Sequence, residues 1–288
     1  MTDTLKVALV QKRSGPRPED NLESALAAVD AAAQSGARVL CLPELFSALY
    51  PCQNEDVARF DLAEPIPGPS TEALGAAAGR NRMVIIASLF ERRAPGLYHN
   101  TAVILDAGGK IAGLYRKMHI PDDPGYCEKF YFAPGDLGFG AHDTAAGRIG
   151  VLVCWDQWFP EAARAAALDG AWIVFYPTAI GWARGEPEAV RHRQREAWET
   201  IQRGHAIANG MFVAAVNRVG TEDGLEFWGS SFVADPFGEV IARAGCDREE
   251  MLIVECDRTL VETTRRHWPF LRDRRIDAYQ YLARRFRS

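Results

Sequence analysis

The sequence predicts an α/β fold, one domain in which helices cover the outer faces of two mixed β-sheets. Three observations carry that prediction. Short apolar runs with β-branched content alternate with longer stretches in which Ala and Leu recur at helical spacing. The alternation falls into two β-α-β-rich halves separated by hairpin signals. The 288 residues are 48% apolar, enough for a large core, with no linker, low-complexity segment or internal repeat to divide them.

Residues 5–11 read as the first strand, and 18–35 as a helix that stops at Gly36. A strand over 39–42 runs into Pro43-Glu44. A second helix spans 70–82 and a third strand 83–90. Residues 101–106 and 110–115 flank Ala107-Gly108-Gly109 and form a hairpin. A strand over 149–153 leads, through Pro160, to an Ala-rich helix ending at Asp169. Residues 172–176 are a strand, 191–209 a long helix and 211–217 another strand. Strand signals follow at 227–235, 239–242 and 251–255, with Asp235-Pro236-Phe237-Gly238 as the turn between the first two.

The charge balance, 33 basic against 38 acidic residues for a net −5, argues against nucleic-acid binding as the main task. No apolar run approaches the ~20 residues of a membrane helix. The N-terminus lacks the parts of a secretory signal, so a cytoplasmic protein is expected. Residues 265–288 hold eight Arg and two acids, interleaved with Trp268, Phe270, Leu271, Ile276, Tyr279 and Tyr281. That mixture reads as a strap docked on the subunit or on a partner subunit. The six cysteines form no CxxC pair and show no metal-ligand spacing; no metal or other cofactor is expected.

Ligands of open α/β sheets sit beyond the carboxyl ends of strands. Glu44, Lys117 and Cys154 each follow a predicted strand at such an end. Singly, each has an ordinary structural account: a helix-terminus carboxylate, a solvated lysine, a small buried hydrophobe. Together they supply a nucleophile, a base for its proton and a cation for an oxyanion. The backbone N–H of Trp155 is a second oxyanion donor, and the charge of Lys117 should also favour the Cys154 thiolate. Cys127 lacks a strand end, and His119 and His205 read as structural.

Leu42-Pro43-Glu44-Leu45, Tyr115-Arg116-Lys117-Met118-His119 and Val153-Cys154-Trp155-Asp156 resemble, in order and spacing, the three signature blocks of the nitrilase superfamily of carbon–nitrogen hydrolases. The resemblance runs from Val7-Ala8-Leu9-Val10-Gln11 to Arg272-Asp273-Arg274-Arg275. It implies an αββα sandwich, a Glu44–Lys117–Cys154 triad and a Cys thioester intermediate. A second glutamate, Glu128, would lie near the nucleophile; its plain alternative is a loop carboxylate paired with Lys129. The hydrolase domain would occupy 1–266 and the docked tail 267–288. The resemblance also implies self-association into a homodimer or larger even oligomer, through the helix after Pro160 and the tail.

Within the superfamily, the loop from His119 to Phe132, the run Cys154-Trp155-Asp156-Gln157-Trp158-Phe159-Pro160-Glu161 and Tyr176-Pro177-Thr178-Ala179-Ile180-Gly181 are most similar to the N-carbamoylputrescine amidases. Their reaction releases an amine, carbon dioxide and ammonia from a ureido group. N-carbamoyl-β-alanine amidases, broad aliphatic amidases or nitrilases, and an idle member acting as a binding module are the alternatives. The stretch Trp182-Ala183-Arg184-Gly185-Glu186-Pro187-Glu188 departs from the plant-type pattern by being longer and more polar. Asp122 and Glu186 are the expected partners of a substrate ammonium, with Tyr126, Trp158 and Thr178 as further substrate-binding residues.

Overall fold

Strand β1 (Thr4–Gln11) shows how the layers arise. Val7 and Leu9 face an apolar cluster shared with the second sheet, whereas Ala8 and Val10 face a cluster shared with helices. The same division recurs in β2 (Val39–Cys41), β3 (Val84–Ala94) and β4 (Leu97–Leu105). Val39, Val84, Ile86, Ala102 and Ile104 lie on one side; Leu40, Ile85, Ala87, Val103 and Leu105 lie on the other. A period of two with both faces apolar is what a strand buried between two layers requires.

The structure is a computed structural model and describes residues 3–287. With β5 (Ile111–Arg116) and β15 (Glu250–Asp257), these strands form a six-stranded sheet in the order β15-β1-β2-β3-β4-β5. The trio β1, β2 and β3 is parallel, and its flanking strands are antiparallel. The second sheet comprises β6 (Ala141–Thr144), β7 (Gly147–Val151), β8 (Ile173–Thr178), β10 (Phe212–Asn217), β13 (Phe232–Ala234) and β14 (Val240–Arg243). Its order is β14-β13-β10-β8-β7-β6. Here too a parallel trio, β7, β8 and β10, is bounded by one antiparallel strand on one side and two on the other. The two halves thus repeat a topology that the sequence does not show as a repeat. A small third sheet joins β9 (Gly181–Ala183), β11 (Val219–Glu222) and β12 (Leu225–Trp228).

Helices α1 (Pro18–Gln34) and α2 (Pro69–Asn81) cover the outer face of the first sheet through Ala25, Val29, Ala32, Leu74, Ala77 and Ala78. After the one-turn α3 (Glu128–Tyr131), α4 (Pro160–Leu168) and α5 (Glu188–Asn209) cover the second sheet through Ala162, Ala163, Ala166, Trp198 and Ala206. The result is the αββα sandwich that the family resemblance implied. No helix among the described residues is long and apolar enough to cross a membrane.

The predicted strand over 227–235 is in fact two strands in different sheets. Gly229 and Ser230, with φ of 51° and 56°, break it and redirect the chain. The short strands β6, β9 and β11 and helix α6 (Thr259–His267) were not anticipated. Beyond α6, the Trp268 ring meets Phe237 edge-on at 5.1 Å, and Arg274, Tyr279 and Leu282 wall a cavity over α4 and α5. Ile276 and Phe286 remain exposed there.

Candidate active site

The three signature segments converge because each leaves a sheet at the same end of the sandwich. Glu44 follows β2 by three residues, and Lys117 immediately follows β5. Cys154 follows β7 by three and opens a 3₁₀ turn, Cys154–Trp158. Cys154 has a φ of 44°, the left-handed region that a side chain other than glycine adopts only when its surroundings hold it there.

Asp156 joins two of the segments. Its Oδ2 accepts from Tyr115 Oη at 2.8 Å and from the Val153 amide at 2.9 Å. Its Oδ1 faces the His119 amide at 3.1 Å and His119 Nδ1 at 2.7 Å. The Lys117 and Cys154 segments are therefore pinned to each other through one buried carboxylate. This also accounts for His119, which stacks on Phe159, and His205, whose Nε2 meets the Gln157 carbonyl at 2.8 Å, as structural residues.

Lys117 Nζ lies 2.8 Å from Glu44 Oε1 and 2.8 and 2.7 Å from the two oxygens of Glu128. All three side chains are completely buried. Three donors meeting three carboxylate oxygens saturate the ammonium. Burial opposes its charge, but Glu128 and Glu44 outweigh burial and hold the Lys117 pKa well above the usual lysine value. Glu128 is pushed up to about 7 by burial, which Lys117 opposes and Glu44 reinforces. Tyr50 Oη steadies it with a 2.8 Å hydrogen bond. Glu128 therefore belongs to the triad cluster and does not pair with Lys129.

Burial, then Glu44, raise the Cys154 thiol well above the ordinary cysteine value, and Lys117 only partly offsets them. Lys117 thus favours the thiolate by charge, as expected, but burial and Glu44 outweigh it, which favours the thiol and calls for a base to take its proton during attack. Glu44 Oε1 is occupied by Lys117 and by Asn100 Nδ2 at 2.7 Å, while Oε2 is buried with no partner. That arrangement leaves one carboxylate oxygen open to accept a proton.

Cys154 opens into a cavity of about 350 Å³. Tyr126, Trp155, Trp158, Leu225 and Trp228 give it apolar walls. Asp123 and Glu186 also line it, and no Lys or Arg does. Of the expected substrate-binding residues, Tyr126, Trp158 and Glu186 are on the wall. Asp122 is not: its neighbour Asp123, which opens a tight turn bridged to Tyr126, takes the place on the wall. Thr178 is not on the wall either. It is completely buried in β8, its hydroxyl donating to the Tyr176 carbonyl at 2.9 Å. Cys127 caps α3 away from the cavity. The polar stretch after Gly181 does border the cavity, through Ala183 and Glu186.

Several contributing residues escaped the sequence reading. Asn217 clasps Ile180 by both its N–H and its carbonyl, each at 3.0 Å, fixing the loop that forms one wall. Arg218, fully buried, donates to the Glu44 carbonyl at 3.0 Å, to that of Ala48 at 2.9 Å, and to that of Leu45. Asn217 ends β10 and Arg218 follows it, at the same sheet end as Glu44, Lys117 and Cys154, which was the available signal.

A carbon–nitrogen hydrolase family profile matches residues 6–266. An N-carbamoylputrescine amidase of Solanum lycopersicum is 43% identical over 270 residues, covering 91% of this chain and 89% of the relative. A citrullinase of Francisella tularensis is 40% identical over 287 residues, covering 98% and 99%. Among solved structures, a carbon–nitrogen hydrolase from Helicobacter pylori G27 superimposes with a TM-score of 0.95 at 46% identity, covering 98% and 99% of the two chains. An amidase from Nesterenkonia sp. AN1, with an acetamide moiety covalently added at its active-site cysteine, superimposes with a TM-score of 0.75 at 27% identity, covering 95% and 94%.

Proposed function

The chain belongs to the carbon–nitrogen hydrolase family of the nitrilase superfamily, and from that premise we propose that it hydrolyses N-carbamoylputrescine to putrescine, carbon dioxide and ammonia. The carrying observation is the cavity beside Cys154, which holds two carboxylates, Asp123 and Glu186, and no cation on its wall. Asp123 is exposed and Glu186 half-buried at the cavity wall, so they act by attracting opposite charge, and a wall of that sign favours a substrate ending in an ammonium over one ending in a carboxylate. The apolar side chains between suit a methylene chain, and 43% identity to an N-carbamoylputrescine amidase agrees.

Cys154 Sγ attacks the ureido carbon as Glu44 Oε2 takes the thiol proton. The carbonyl oxygen becomes an oxyanion. The Trp155 amide, in the first turn of its helix and so without an intrahelical acceptor, is one donor to it. Lys117 is the other: it can exchange one of its two bonds to Glu128 for the oxyanion and keep the second. One such donor contributes roughly 3–4 kcal/mol. Collapse expels one nitrogen as a neutral amine, carrying the proton from Glu44. Glu44, now ionised, activates water against the thioester. The carbamic acid released breaks down to carbon dioxide and the second amine.

Citrulline is the second reading, favoured by the end-to-end match to a citrullinase. It shares the ureido end and an ammonium but adds a carboxylate. A carboxylate needs a cation, and Arg191, a nearby base, is already engaged by Glu226 at 3.0 Å and lies over Trp182. Ammonia release from N-carbamoylputrescine, citrulline, N-carbamoyl-β-alanine, simple amides and nitriles decides among these. N-carbamoylputrescine should give the highest kcat/KM. A preference for either carboxylate-bearing ureide would refute the diamine assignment and leave the hydrolase assignment standing. The exposed apolar tail side chains beside α4 support self-association through that face.

A further inference from the structure

A closed hydrogen-bond circuit runs from the backbone beside Glu44 to its carboxylate, through two side chains, Ser88 and Asn100, that lie in no signature block. The Leu45 amide, one residue past Glu44, donates to Ser88 Oγ at 3.1 Å. Ser88 Oγ donates in turn to Asn100 Oδ1 at 2.9 Å. Asn100 Nδ2 then donates to Glu44 Oε1 at 2.7 Å. Each step fixes the next. A backbone N–H can only donate, so the hydroxyl proton points onward. That proton selects the amide oxygen, so the Asn100 NH₂ group faces the carboxylate. Ser88, Asn100 and Glu44 are all completely buried, so no water competes for these bonds. Leu45 sits at a φ of 48°, and the Arg218 guanidinium binds the Glu44, Leu45 and Ala48 carbonyls from another side.

On the reading of Glu44 as the base, we propose that Asn100 and Ser88 are positioning residues for Glu44. They saturate Oε1 together with Lys117, so that Oε2 alone is left, aimed and unpartnered, to take the Cys154 proton. The Asn100 side chain reaches the chemistry only through Glu44; its backbone carbonyl, which accepts from the Lys117 amide at 2.9 Å, is kept when the side chain is replaced. The circuit ties the carboxylate to the backbone that carries it, and so it fixes side chain and main chain as one unit. A mere strand–strand contact between β3 and β4 would need neither the one-way donor order nor the return to Glu44.

The distinguishing test is a mutant cycle. Glu44 is faced by Lys117, Glu128, Cys154, Tyr50, Cys52 and Tyr126 as well as Arg218, so a pH limb would report that whole group. The readout is therefore the rate of Cys154 alkylation by iodoacetamide, followed by mass spectrometry on the Cys154 peptide so that exposed Cys246 does not contribute. In the parent, Asn100→Leu should slow alkylation about tenfold or more, the loss of one hydrogen bond to a charged group. In a Glu44→Gln background it should slow it by less than about twofold, because contacts acting through one residue are not additive. Equal slowing in both backgrounds would overturn the inference and make Asn100 a packing residue. An unchanged rate in Glu44→Gln alone would instead overturn the reading of Glu44 as the base. If Asn100→Leu does not fold, Ser88→Ala enters the same cycle. It frees the amide to turn, with an expected loss of about threefold that also vanishes when Glu44 is Gln.

Discussion

Lys117→Ala removes the ammonium that lies within 2.8 Å of one oxygen of Glu44 and of both oxygens of Glu128, in a cluster with no exposed surface. Taking one partner from a buried ion pair costs about 3–5 kcal/mol, because the charge left behind has neither water nor counter-ion. At about 2–4 °C per kcal/mol for a large domain, the melting temperature should fall by roughly 6–20 °C. The loss must also depend on pH in a stated direction. Burial already lifts Glu128 to about 7 against the opposing pull of Lys117; without Lys117 it rises further. A carboxyl raised above its unfolded value of about 4.3 contributes stability below that value and loses it as pH rises through the folded value. The variant's deficit should therefore be smaller near about pH 6 than near about pH 8.5, by at most about 1.4 kcal/mol per pH unit for one proton. Urea unfolding of parent and variant at both pH values measures it. A deficit below about 1 kcal/mol, or one that shrinks as pH rises, would refute the account of the cluster as two buried carboxylates held by one cation.

Other expectations follow from the same geometry. Cys154→Ser should fold and lose turnover by several orders of magnitude, whereas Cys127→Ser, away from the cavity, should retain it; steady-state ammonia release compares them. Glu186→Gln and Asp123→Asn should each raise KM for N-carbamoylputrescine about tenfold, the worth of one charge-assisted contact, and change hydrolysis of a small neutral amide far less. Asp156→Asn turns an NH₂ group towards two of four donors and should cost about 2–6 kcal/mol in thermal or urea unfolding; an unchanged midpoint would deny that Asp156 couples its two segments. Light scattering should give a mass of at least two chains, lowered by deletion from His267 onward.

The strands of the two parallel trios were legible because both their faces are buried, giving continuous apolar runs such as those around Leu9, Ile86 and Val174. The three residues of the proposed triad could be singled out because each stands just past a strand and in a signature block. What could not be read depends on backbone conformation and on long-range contacts. The break at Gly229 and Ser230 lies in the φ angles. The strands β9 and β11 are three and four residues long, too short for periodicity to register. Asp122 against Asp123 is a one-residue difference set by the turn that bridges Asp123 to Tyr126. Asn100, Ser88 and Arg218 act on Glu44 across 56, 44 and 174 residues of chain, and only the fold brings them there.

In the reaction proposed above, the charge count of the site explains why the proton must stay inside it. Counted formally, with two carboxylates, one ammonium and a thiol, the cluster carries one net negative charge. Losing the thiol proton to solvent would make that two, in a place where burial and Glu44 already push the thiol value up. Passing the proton to Glu44 leaves the count unchanged, because the thiolate gains what the carboxylate gives up. The charge then moves onto the substrate oxygen, towards Lys117 and the Trp155 amide, and the stored proton leaves with the departing amine. At no step does the cavity hold a second uncompensated charge. This is the condition under which a buried site can run nucleophilic chemistry without a resting thiolate. It also assigns Glu128 a distinct task. Sharing Lys117 by two bonds, it can release one to the oxyanion and still keep the ammonium charged and in place.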